Sequence, residues 1–334
     1  MTKEKMNICI LSSDAFVPHA AALIASIMEN KDVSDDIVIH YFCENVTGES
    51  KEYLLSMKRK WNFCIRLYDL TADFFEGYKQ YGYRHSQYNR SYMGYYKIVI
   101  PRLLPQEIDK ALILDSDMIA HTSLSSLYET NLEGRYAAVV AETEMKNRVI
   151  TTHNGPYFNA GTILVNLKKY REDQVEEQIK EIIQKKGINS FPFLEQDLFN
   201  EIFRGEVVCL PLKWNMMFTN GWRKAIYKHG FVLYPFPEEE IHEAENNPGI
   251  IHYLTAEKPW FPGSKHPGRN TYWKYLKQTP FFGQVRNEYY RSVFKKLFKK
   301  PLKESIKESI KVSERLLRRW IFKPLKALIR CRPK

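Results

Sequence analysis

Residues 112–117 read Leu112-Ile113-Leu114-Asp115-Ser116-Asp117, an apolar run that ends in two carboxylates spaced i, i+2. So short an apolar run, closed by a polar turn, predicts a buried strand over Ala111–Leu114. In α/β sheets the carboxyl ends of such strands are where ligands bind. Strand alternation points Asp115 and Asp117 to one side as long as the extended geometry persists. Paired carboxylates repel each other unless a cation sits between them, and their oxygens suit Mg²⁺ or Mn²⁺. The same residues also fit a polar strand-end turn that caps a helix, so the rest of the chain has to decide.

Outward from this segment, strands and helices alternate. Residues 7–11 (NICIL) predict a first buried strand, followed by a helix from about Pro18 to Met28. Asp36–Cys43 and Cys64–Leu70 predict two more strands with a helix around Ser50–Trp61 between them, and Tyr92–Leu104 reads as helical. Tyr157–Leu167 predicts a long buried strand, and a helix is expected from Asp173, as its N-cap, to Lys186, with Gly187 at its end. That alternation predicts an α/β fold with a mostly parallel central sheet flanked by helices. There is no internal repeat, and residues 1–283 are expected to form one domain.

The charge sits elsewhere. The chain of 334 residues has 50 Lys and Arg against 39 Asp and Glu. Residues 284–334 hold 17 of the basic residues and 4 of the acidic ones, leaving 33 against 35 in the main body. The body is therefore near neutral, which argues against a nucleic-acid binder, and no helix-turn-helix, RNP or zinc-finger pattern is present. In the tail, Leu302, Ile306, Ile310 and Leu317 recur at helical spacing among Lys303, Lys307, Lys311 and Arg315. This is the pattern of an interfacial helix drawn to anionic lipid, at about 1 kcal/mol per basic residue near the surface. A helix docked on the domain through its apolar stripe fits the same residues.

No apolar run approaches the roughly 20 residues of a membrane span, and the start MTKEKMNICIL lacks a cleavage site, so no secretory signal is expected. The five cysteines are scattered, with no C-x-x-C pair. Neither a disulfide framework nor a zinc knuckle is indicated, and Cys9 and Cys209 read as small core residues. The expected location is the cytoplasm, peripheral on the inner face of the plasma membrane.

Three further segments carry chemistry. His252 follows Ile250-Ile251 at a predicted strand end and can offer an imidazole to the same cation; Lys258, six residues on, can meet a phosphate as a point charge. Glu195-Gln196-Asp197 opens an apolar helix, where capping is the plain alternative. Phe158-Asn159-Ala160-Gly161 leads into a strand, and its small residues let a backbone approach a ligand closely.

In this order, over residues 6–275, the segments resemble glycosyltransferase family 8, retaining metal-dependent sugar transferases of the GT-A (Rossmann-like) fold that include bacterial lipopolysaccharide galactosyl- and glucosyltransferases. The resemblance implies that Asp115, Asp117 and His252 hold Mn²⁺ (or Mg²⁺) against the diphosphate of a UDP-sugar. It places Lys258 on that diphosphate and Thr255 where the family often has glycine. Ser116, Asn159 and Ala160 fall near the donor, and Glu195 and Gln196 match an acid-amide pair beside the reacting carbon, where Asp is the commoner acid. Pro211, Trp214 and Asn215 match a further family segment, in which the asparagine takes no assigned role.

Two segments depart from the family. Its nucleotide loop usually has two acids, an asparagine and a tyrosine before Ala-Pro-His, whereas this chain reads Ser13-Asp14-Ala15-Phe16-Val17-Pro18-His19. Phe16 can still stack on uracil. Lys97 replaces the family's helix arginine, keeping the charge and losing the bidentate fork.

The resemblance implies transfer of a hexose, galactose or glucose, to a saccharide acceptor, with a lipid-linked acceptor favoured by the basic tail. Aromatic residues of the Asp73–Tyr96 segment, with Trp260, Phe261 and Trp273, are candidates for stacking on it. Front-face attack is the expected route, Glu195 and Gln196 positioning the donor. The alternatives are a nucleotidyltransferase, for which residues 7–19 lack a triphosphate loop, and an inactive sugar-binding or membrane-scaffold relative.

Overall fold

The computed structural model describes residues 4–78, 92–142, 156–217, 236–254 and 258–299. Nine strands are described: β1 (Met6–Ser13), β2 (Ile37–Glu44), β3 (Cys64–Asp69), β4 (Lys110–Leu114), β5 (Met118–Ala120), β6 (Ala137–Ala141), β7 (Phe158–Asn166), β8 (Val207–Cys209) and β9 (Ile250–His252). Seven form a central sheet in the order β3-β2-β1-β4-β7-β6-β8, and β5 and β9 pair separately. The first four sheet strands in that order are parallel, as is β6 with β8; β7 runs antiparallel to both β4 and β6. The expected mostly parallel sheet is present, with an antiparallel strand at its heart.

Strand composition explains the burial. β2 and β7 are buried along nearly their whole length, as strands covered on both faces are. The helix Val17–Asn30 opens with Pro18 in its first turn and is buried from Val17 to Met28, because it is largely apolar and its His19 and Ser26 are hydrogen-bonded. The helix expected over 50–61 runs Gly48–Ser56 and tightens into a 3₁₀ turn. That expected over 92–104 begins with a 3₁₀ turn before Tyr96–Leu103.

Two expectations are corrected. Asp173 does not cap the helix Val175–Lys186; Gln174 holds that position at φ +51°. Asp173 closes the preceding helix Leu167–Glu172, and its carboxylate is taken by the Tyr136 hydroxyl and Lys169. Cys209 is exposed at the end of β8, a short edge strand, whereas Cys9 is fully buried in β1.

Tyr78, Tyr95 and Tyr96 pack with Phe75 in the main core, so these tyrosines serve packing. Tyr81, Tyr83 and Tyr88, together with Thr255 and the tail from residue 300 on, lie outside the described residues. The chain divides after Gly283 into two units. The helix Phe282–Lys299 leads into the second of them. Among the described residues no helix is long and apolar enough to cross a membrane.

Two irregularities shape one end of the sheet. Extended geometry stops at Leu114, and a turn through 115–117 leads directly into β5, not into a helix. β9 then pairs back on β5, setting His252 opposite Met118. The register of β6 on β7 jumps from Val139↔Ile163 to Val140↔Asn159, so Ala160, Gly161 and Thr162 leave that ladder. Such a bulge re-aims side chains and frees backbone polar groups for other partners.

Candidate active site

The turn after β4, the last residue of β9 and the bulge of β7 meet. Ligand atoms of Asp115, Asp117 and His252 lie within 4.8 Å of one another, the one such trio of His, Cys, Asp and Glu among the described residues. His252 Nε2 is 3.6 Å from Asp115 and 3.4 Å from Asp117. The ring is 1% exposed, and Nε2 has no hydrogen-bond partner among the described residues. Its Nδ1 bonds Asn215 Oδ1 at 2.9 Å. A buried nitrogen without a partner, facing two carboxylates, fits a divalent cation that accepts mixed oxygen and nitrogen ligands.

Gly161 makes room for this imidazole. A Cβ there would lie 2.5 Å from His252 Cε1 and 2.7 Å from Met118 Cε. Gly161→Ala is therefore expected to displace the ring and weaken Mn²⁺ binding by about tenfold or more, as loss of a ligand's orientation does. Calorimetric titration of the variant checks this, and unchanged affinity would refute it.

Two lysines neutralise the aspartates. Lys97, 7% exposed, bonds Asp115 Oδ1 at 2.6 Å and the Ala160 carbonyl at 2.8 Å, with Glu195 Oε1 at 3.7 Å. Burial opposes the Lys97 charge, but Asp115 and then Glu195 more than offset it and hold its pKa above the ordinary value. Lys258 bonds Asp117 Oδ2 at 2.5 Å. Burial would raise the Asp117 pKa, yet His252 and Lys258 together hold it well below the usual carboxylate range.

Glu195 and Gln196 open the helix Glu195–Phe203, where Leu194 takes the N-cap at φ +38°. A buried leucine in that region stores strain of order 1–3 kcal/mol, the kind of outlier found where a site fixes its backbone. The capping alternative falls to Asp197, whose Oδ2 takes the Phe193 N–H, which leaves Glu195 and Gln196 for other contacts. Gln196 Oε1 accepts from Ala160 N–H and Asn159 Nδ2, both at 3.1 Å, the former a group released by the bulge. Its Nε2 donates to Glu142 Oε2 at 3.0 Å and the Tyr157 hydroxyl at 2.8 Å. Glu142, Tyr157 and Asn215 were missed in sequence; only Asn215 belonged to a recognised segment.

Burial pushes the Glu195 carboxyl up to about 7, against the pull of Lys97. Between its unfolded value near 4.5 and about 7 the folded chain then binds the extra proton, so stability is lost as pH rises through this window. Glu195→Gln lacks that loss. In EDTA its stability relative to wild type is expected to grow from pH 5 to pH 8.5 in urea unfolding; parallel profiles would overturn the assignment.

Residues 13–19 run from the end of β1 through a 3₁₀ turn into the helix Val17–Asn30. Ser13 ends the strand, and Asp14 Oδ1 accepts the Thr47 N–H at 2.9 Å and its hydroxyl at 3.0 Å, which commits one carboxylate oxygen to a neighbouring helix start. Phe16 meets Trp260 edge-on at 6.2 Å. His19 stacks on Trp260 at 3.6 Å and bonds the Tyr272 hydroxyl; burial pushes its pKa down to about 3, so the ring is neutral. Ser116 is half-buried in the turn between the aspartates.

Known proteins resemble this chain in sequence and in fold. The family model described as glycosyl transferase family 8 matches residues 7–262. General stress protein A of Bacillus subtilis is 24% identical over 281 residues, covering 83% of this chain and 94% of its own. The lipopolysaccharide 1,2-glucosyltransferase of Escherichia coli K12 is 26% identical over 193 residues, 56% of this chain and 54% of its own. This chain thus spans about half of that relative. Among solved structures, galactosyltransferase LgtC in complex with donor and acceptor sugar analogs aligns with a TM-score of 0.68 at 20% identity, covering 82% of this chain and 96% of that one. At such identity the likeness concerns the fold, which is GT-A.

Proposed function

The chain belongs to glycosyltransferase family 8, and on that premise we propose that it moves a hexose, galactose or glucose, from a UDP-sugar to a saccharide acceptor with retention at the anomeric carbon. The observation that carries the reading is the buried, unpartnered His252 Nε2 facing Asp115 and Asp117. Mn²⁺ or Mg²⁺ held there supplies Lewis-acid stabilisation of the departing diphosphate. Lys258, paired with Asp117, would meet that diphosphate as a point charge. Phe16, beside Trp260, offers a face to the base, and Ser13, Asp14 and Ser116 border the nucleotide.

Asn159, Ala160 and Gln196 form a fixed polar wall for the donor sugar, since each is hydrogen-bonded to another. Glu195 lies beside Lys97 with Oε2 buried and unpartnered among the described residues. A carboxyl that keeps its proton to about pH 7 is better suited to orienting the donor than to attacking its carbon, which favours front-face attack over a covalent intermediate.

The acceptor is a lipid-linked glycan at the cytoplasmic leaflet, as in lipopolysaccharide or capsule synthesis. The basic composition of residues 284–334 supports membrane attachment, and Tyr290 and Phe294, one helical turn apart, are both exposed. Full-length protein is expected to sediment with anionic vesicles in a salt-sensitive way, and a 1–283 truncation is not; equal sedimentation of both would refute the role of the tail.

The activity is tested by incubating the protein with a panel of UDP-sugars and Mn²⁺, with and without EDTA, and reading released UDP. EDTA-sensitive release from one sugar supports the reading and names the donor. No release, together with no UDP binding, would overturn it in favour of an inactive relative.

A further inference from the structure

We infer that Asn215 is the positioning residue of this centre: its amide fixes which nitrogen of His252 faces Asp115 and Asp117, and it ties that imidazole to the Asn159–Gln196 cluster. The inference rests on the proposed metal-binding reading of the trio.

The orientation of every group in the chain follows from groups that can only donate or only accept. Glu142 Oε2, a carboxylate acceptor, receives Gln196 Nε2 at 3.0 Å and Asn159 Nδ2 at 3.3 Å. Asn159 therefore turns its NH₂ to Glu142 and its oxygen the other way. There the oxygen takes the Gly161 backbone N–H at 2.8 Å, a group that can only donate, so two independent anchors agree.

The same Asn159 oxygen receives Asn215 Nδ2 at 2.8 Å. Asn215 must then present its own oxygen to His252 Nδ1, which has to carry the proton. That turns Nε2 towards the two carboxylates. Asn215 is fully buried, so neither of its bonds can be replaced cheaply by water.

The arrangement links metal and sugar sides. Through Asn215 and Asn159, the ring that meets the cation shares a hydrogen-bonded path with Gln196, whose oxygen also takes the Ala160 N–H. A residue that served packing alone would need no such polarity.

The test separates the two arms of the amide. Asn215→Asp keeps an acceptor for His252 Nδ1–H and loses the donor to Asn159, whereas Asn215→Leu loses both. In calorimetric Mn²⁺ titration without nucleotide, the Leu variant is expected to bind about 10- to 100-fold more weakly and the Asp variant close to wild type, while kcat for UDP-sugar hydrolysis falls in both. Equal loss of affinity in both variants, or wild-type affinity in the Leu variant, would overturn the inference.

Because the Leu variant risks misfolding, ¹⁵N NMR of the wild-type imidazoles gives an independent reading. His252 Nδ1 is expected to carry the proton, with and without Mg²⁺. A proton on Nε2 with a bare Nδ1 overturns the role of Asn215. Failure of the wild-type chain to bind Mn²⁺ would instead count against the metal-binding reading, and the NMR result would still decide the role of Asn215.

Discussion

Asp117→Asn is expected to lower turnover of the sugar nucleotide by about 10³-fold, the upper range for losing one preorganised electrostatic contact. The amide matches the carboxylate in shape, so packing around residue 117 is retained and only the charge is removed. That charge is shared between the 3.4 Å approach of His252 Nε2 and the Lys258 ion pair. Its loss leaves Lys258 without its anion and the cation site with one carboxylate. The kcat at saturating Mn²⁺ and donor checks the expectation; turnover within tenfold of wild type would sink the metal assignment.

The same variant bears on stability. Because the folded chain holds the Asp117 pKa well below the unfolded 3.8, its ionised form favours folding above that pH. The amide forfeits this contribution, so the metal-free variant is expected to be less stable at pH 7, and the difference closes as pH falls below 3.8. The site therefore makes a conformational contribution that the pairing of acids in sequence does not show.

Lys97→Met should destabilise the metal-free protein by about 3 kcal/mol, because removing one partner of a buried ion pair leaves the others uncompensated. Two carboxylates are at stake, Asp115 at 2.6 Å and Glu195 at 3.7 Å, and the Ala160 carbonyl loses its donor as well. Mn²⁺ is expected to restore part of the loss, since a cation on Asp115 supplies the missing positive charge and binds only the folded chain. Urea unfolding in EDTA and in Mn²⁺ measures both effects. A Met variant as stable as wild type in EDTA would show that Lys97 does not offset these charges.

The strands and helices of the sheet were largely legible in the sequence because their signal is local. NICIL and ALIL fall inside β1 and β4, DIVIHYFC begins one residue before β2, and the mostly apolar helix after β1 is where composition placed it. Caps and edges were less legible: Asp173 and Cys209 were each misassigned by a local rule that tertiary contacts override.

The acid pair, histidine, lysine and acid-amide pair could be picked out one by one, and the family pattern put them in order. Their meeting depends on distant pairings. His252 reaches Asp117 only because β9 lies back on β5. Gln196 reaches the Ala160 N–H only because the bulge in β7 turns that group out of its ladder towards the amide. Glu142, Tyr157 and Asn215 had no local signal as site residues, since their roles consist of hydrogen bonds to partners 17 to 56 residues away.

By itself, then, the sequence determined the alternation of strands and helices, the near-neutral body with its basic tail, and the residue types able to hold a cation. Hydrophobic periodicity and charge are properties of neighbouring residues, so they survive without coordinates. Tertiary contacts add that Lys97 and Lys258 each neutralise one aspartate, that Glu195 is buried enough to resist ionisation, and that His252 turns Nε2 towards the acids. Those outcomes depend on burial and on angstrom-scale register between segments far apart in the chain, where a shift of one residue would point each of these side chains elsewhere.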